Sequence, residues 1–150
     1  MSNNFFVYQQ QRLRILLGWG LGSTLVGLPL LIIPSPFWRS FGLQAASWGL
    51  IDAILAILGG AGARRKATRV EVGELGEEEA LAEARSFRRI LLINAGLDLL
   101  YIGGGLTTAR RAAQRPGRQG MGMGIALQGL FLLIFDSLLA REVDQRWIRH

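Results

Sequence analysis

The chain has 150 residues, half of them apolar, a net charge of +6 and a mean hydropathy of +0.29. It has no cysteine, which excludes disulfides, thiolate metal sites, iron–sulfur ligation and thiol catalysis. Its only histidine is His150, so a bis-histidine haem is also excluded and redox cofactor chemistry is not expected. High hydropathy with 17 Lys and Arg arises when long apolar runs alternate with short charged connectors. The positive charge sits at the ends of those runs, not along one basic stripe, which argues against nucleic acid as a partner.

The first apolar run covers residues 15–33 and closes at Pro34-Ser35-Pro36. It is too long for a signal peptide and no small-x-small cleavage site follows, so it reads as a retained helix. Phe37, Trp38 and Phe41 follow as an aromatic belt on a short hairpin, and Trp38 and Phe41 are candidate partner-binding residues. The second run, 43–63, stops at Arg64-Arg65-Lys66. Residues 64–89 form the one sizeable polar connector. Glu77, Glu78 and Glu79 open an Ala/Leu/Glu-rich stretch that enters the third run without Gly or Pro. Acids suit a helix N-terminus, so a helix projecting from the membrane before the third span is expected, either as a solubilising extension or, through those glutamates, as a docking surface for a partner subunit. The third run, 90–109, stops at Arg110-Arg111, and the fourth, 121–140, stops at Arg141. Each run approaches the ~20 residues that cross a ~30 Å hydrocarbon core. The expected fold is an all-α, four-helix integral membrane bundle forming a single domain.

Twelve basic residues lie in the N-terminal tail, the 64–89 connector and the C-terminal tail: Arg12, Arg14, Arg64, Arg65, Lys66, Arg69, Arg85, Arg88, Arg89, Arg141, Arg146 and Arg149. Five lie on the other side: Arg39, Arg110, Arg111, Arg115 and Arg118. The positive-inside rule therefore places both termini in the cytoplasm, with a bacterial inner membrane as the expected location.

Three acids interrupt the spans, Asp52, Asp98 and Asp136, with no Lys or Arg inside the spans to pair with them. Intramembrane acids are costly and usually mark a polar interior. At 1.5 Å per residue from the cytoplasmic ends, Asn94 and Asp136 are each about 6 Å deep, Asp98 about 12 Å, Asp52 about 16 Å and Gln128 about 18 Å. Two layers follow, Asn94 with Asp136, and Asp98 with Asp52 and Gln128. Asn94, Asp98, Tyr101 and Gly105 share one helical face, and Trp48 lies one turn from Asp52. These polar residues act either as interhelical hydrogen-bond glue or as an ion or proton path carried by Asp98 and Asp52. Small-xxx-small patterns such as Gly18-x-x-x-Gly22 and Ala45-x-x-x-Gly49-x-x-x-Ala53 favour close helix packing. Trp48-Gly49-Leu50 and Gln128-Gly129-Leu130 hint at an internal repeat.

The block Asn94-Ala95-Gly96-Leu97-Asp98-Leu99-Leu100-Tyr101-Ile102, with Gln128-Gly129 and Asp136 downstream, resembles a family of uncharacterised bacterial four-helix membrane proteins. The resemblance implies the fold and a shared polar core, but no activity. Two other four-helix families fail at the residues that would carry their chemistry. Small multidrug exporters need an acid in the first helix, which has none here. The Gly59-Gly60-Ala61-Gly62-Ala63-Arg64 segment departs in spacing and position from the fluoride-channel signature. With no metal or cofactor ligand set and no nucleophile–base pair in the spans, the expectation is a non-catalytic structural or accessory subunit of a larger membrane assembly, respiratory or photosynthetic. A proton-linked transporter or ion channel is the alternative.

Overall fold

The computed structural model describes residues 2–149, with side chains from Phe5 onward; His150 lies outside the described residues. Four helices follow one another: α1 (Ser2–Leu30), α2 (Pro36–Glu71), α3 (Glu77–Arg111) and α4 (Pro116–Val143), ending in a π-helical turn, Asp144–Ile148. All four are long and apolar enough to cross a membrane. Pro36 and Pro116 occupy first helical positions, where a missing N–H costs nothing. The backbone N–H of Gly76 donates to the Glu79 carboxylate at 2.9 Å, closing the start of α3. Gly73 takes φ +76°, a conformation that side chains disfavour, and turns the chain between α2 and α3.

The helices outrun the apolar segments. α2 continues two turns past Ala63, because Arg64, Arg65 and Lys66 are good helix formers and no breaker occurs before Gly73. The expected connector of residues 64–89 is therefore the end of α2, a five-residue turn and the start of α3. α1 begins at Ser2, well before residue 15. Phe5, Phe6 and Tyr8 are buried there with Ala67, Leu75, Ala84, Leu139 and Val143, and with Trp147 packed against them. The C-terminal turn is thus anchored by ring contacts, Phe5 to Trp147 at 5.7 Å and Tyr8 to Trp147 at 6.1 Å. Short ion pairs join the same end, Arg12 to Glu142 at 2.8 Å and Arg88 to Asp144 at 3.2 Å.

Through the middle, the two helices of each hairpin approach closely at glycines. A Cβ on Gly20 would lie 2.6 Å from both Ala53 N and Gly49 O, and one on Gly27 would lie 2.6 Å from Gly42 O. The second hairpin repeats this, with a Gly105 Cβ 2.5 Å from Gly122 O. Backbone therefore meets backbone in both the α1–α2 and α3–α4 hairpins. The arrangement is regular: Pro36 and Pro116, Gly42 and Gly122, and Gly49 and Gly129 are each 80 residues apart. Contacts between the hairpins recur in the same sense. Phe37 abuts Gly120 while Ser40 abuts Gly117. Trp48 of α2 meets Tyr101 of α3, and Gln128 of α4 meets Ser23 of α1. These exchanges relate the two hairpins as a structural repeat, with α2 and α4 parallel at its centre.

Candidate functional site: a buried carboxyl cluster

Asp52 from α2, Asp98 from α3 and Asp136 from α4 are 3%, 2% and 6% exposed, so all three point into the bundle. The Asp98 and Asp136 carboxyls lie within hydrogen-bonding reach of each other, and Asp52 lies near enough to feel the charge of both. A carboxylate oxygen only accepts, so two carboxyls can bond to each other only through a shared proton. The Oδ2 atoms of Asp52 and Asp98 have no protein donor. The site therefore carries more acceptors than donors.

The pairing differs from the expected layers, which joined Asn94 to Asp136. Side chains lean toward the N-terminus of their own helix, and α3 and α4 run in opposite directions. Asp98 therefore leans toward the terminal end of the bundle and Asp136 away from it. The ~6 Å offset between their positions along the helix axes, taken at 1.5 Å per residue, closes in this way. Asn94, one turn before Asp98, is exposed on the outer surface of α3 beside Ile93 and Leu97.

Gln128 is buried but does not join the acids. Its Oε1 accepts from Trp19 Nε1 at 2.8 Å and its amide nitrogen donates to Ser23 Oγ at 3.4 Å, tying α4 to α1. The Trp19 ring stacks on Phe131 at 3.9 Å. Trp19 and Ser23 are one turn apart on a helix without ionisable span residues, so their one sequence signal is that i, i+4 spacing. Tyr101 is half-buried against Trp48 at 5.1 Å. The Trp48 ring packs against Tyr101 of α3, with Asp52 one turn further along α2.

The residues proposed for partner contact fall at opposite ends. Trp38 is 46% exposed at the turn joining α1 and α2, with Phe41 half-buried beside it at 5.7 Å. Glu77, Glu78 and Glu79 are exposed at the start of α3, near the chain termini. They form no common surface with Trp38 and Phe41.

A family model described as a family of unknown function, DUF6992, matches residues 15–137. The chain belongs to this family. The DUF6992 match takes in Asp52, Asp98, Gln128 and Asp136 and stops short of the Phe5–Trp147 end. No curated protein and no solved structure gives a significant match.

Proposed function

We propose that this is a four-pass protein of a bacterial inner membrane, both termini cytoplasmic, serving as a non-catalytic structural or accessory subunit of a larger membrane assembly. The distribution of core types supports insertion. The middle of the bundle buries Gly and Ala while Leu25, Leu58 and Leu100 stand 70%, 65% and 69% exposed. The largest fully buried side chains, Phe5, Phe6 and Val143, cluster at the terminal end. Lipid offers no hydrophobic drive between helices, so small residues in close contact suit a span, and large buried aromatics suit the part in water. The twelve-to-five distribution of basic residues supports the orientation.

Asn94 carries the subunit reading. Its amide faces outward within an apolar stripe of α3, where lipid cannot hydrogen-bond it. A partner helix supplies what lipid does not. Gentle purification from native membrane is expected to bring a stoichiometric partner along, and Asn94→Leu should release that partner while leaving the unfolding midpoint within about 0.5 kcal/mol of wild type. A chain that purifies alone, as monomer or homodimer, refutes the reading.

A second reading, a proton-linked transporter or small-ion channel using Asp98 and Asp52, is favoured by the closeness of the Asp98 and Asp136 carboxyls and the unmatched Oδ2 atoms. Asp98→Asn separates the two readings. It keeps a hydrogen-bonding side chain and removes the ionisable one. A structural role predicts stability changed by about 1 kcal/mol or less and partner retention intact. A carrier role predicts complete loss of flux in liposomes.

A further inference from the structure

We propose that the groove between α1 and α2 beside Arg14 and Arg64 binds the phosphate of an anionic phospholipid, an inference that rests on the four-pass reading. The groove holds about 280 Å³ and brings Gln10 and Arg14 of α1 opposite Arg64 of α2, with Leu17 and Ile57 among its apolar walls. Gly60 keeps it open, since nothing lies within 4 Å of a Cβ built there. One residue away the helices touch, with Leu13 Cδ1 3.0 Å from a Gly59 Cβ, so the groove is a local opening in a closed seam.

Its charge is unmatched. Neighbouring cations already have acids: Arg12 pairs with Glu142 at 2.8 Å and Lys66 with Glu83 at 2.6 Å. Arg14 and Arg64 join no ion pair among the described residues. Two guanidinium forks from two helices, both permanently charged, match the oxygens of one phosphate better than a single carboxylate. Their level decides the source of that phosphate. Arg14 directly precedes the first apolar run and Arg64 directly follows the second, which is headgroup depth. Leu17 and Ile57 continue from the arginines along the span, where the first carbons of an acyl chain would lie. A free phosphate gains nothing from those walls; a phospholipid gains from both parts.

The test is lipid retention by the full chain in mild detergent, read by native mass spectrometry against phosphatidylglycerol, phosphatidylcholine and inorganic phosphate. Phosphatidylglycerol should be retained in preference to phosphatidylcholine and should not be displaced by millimolar phosphate. Arg14→Gln and Arg64→Gln should each weaken retention about five-fold, and the pair by more than about ten-fold, as expected for loss of a juxtamembrane arginine. Gly60→Leu puts a side chain into the groove, where a Cβ meets nothing within 4 Å, and should weaken retention with an unchanged unfolding midpoint. Arg39→Gln and Arg118→Gln, at the other end, should leave retention as it is. Equal retention of both lipids, displacement by phosphate, or an equal effect from Arg39→Gln overturns the proposal. A chain that stays soluble without detergent overturns the four-pass reading instead.

Discussion

Gly49→Leu is expected to split the α1–α2 hairpin and to cost about 3 kcal/mol or more, the upper range for forcing extra carbons into a filled contact. Its Cβ would lie 2.5 Å from Gly20 O, 2.7 Å from Thr24 Oγ1 and 2.8 Å from Thr24 N. Two of those atoms are backbone, so no rotamer change relieves the clash and the helices must separate. Separation also strains the Thr24 hydroxyl, which donates to Gly20 O at 2.8 Å and reaches Ala46 O at 3.4 Å. Gly103→Leu is the matched control, because nothing lies within 4 Å of a Cβ there and the change should stay within about 0.5 kcal/mol. Unfolding in detergent by urea or heat reads both. Equal stability of the two variants would show that the backbones do not meet at Gly49.

The second large effect lies in the carboxyl cluster. Asp98→Leu removes one half of a shared hydrogen bond and leaves Asp136 buried without its partner. Stranding a buried polar group costs about 1–3 kcal/mol, and Asp136→Leu should cost a similar amount for the mirrored reason. Replacing both leaves neither stranded, since leucine has the branching and heavy-atom count of aspartate without its polar atoms. The double variant should therefore be more stable than the two single losses added together, by about 1 kcal/mol or more. Asp52→Leu is predicted to couple more weakly to either change, because Asp52 feels the charge of the other two acids without sharing their contact. Strict additivity of Asp98→Leu and Asp136→Leu would mean that the two carboxyls do not share a proton.

These outcomes bear on how far the sequence alone reaches. Four long helices were legible because a run of ~20 apolar residues has few other uses, and Pro36, Gly73 and Pro116 punctuate them. The start of α1 at Ser2 was not legible. Phe5, Phe6 and Tyr8 are too few to show a period, and what holds them is Trp147, at the far end of the chain. Asp52, Asp98 and Asp136 stood out because charge in an apolar run is conspicuous. Their pairing did not follow from depth, since depth was counted along the helix axis while the carboxyls lean along it in opposite directions. Gln128 was visible, but its partners Trp19 and Ser23 were not, because neutral residues on an uncharged helix attract no attention. The repeat was visible as three residues and became a pattern of contacts once Phe37, Ser40, Gly117 and Gly120 were placed.

That repeat divides the labour of folding. Each hairpin closes on its own glycines, and the Asp98–Asp136 bond lies wholly within the second. The ties between hairpins are fewer and rest more on side chains: Trp48 on Tyr101, Trp19 stacked on Phe131 and bonded to Gln128, Phe37 against Gly120, the Arg12–Glu142 and Lys66–Glu83 ion pairs, and the Phe5–Trp147 cluster. The second hairpin can thus bring its two acids together before it meets the first. A chain cut at the Gly73 turn should then reassemble from two separately made halves.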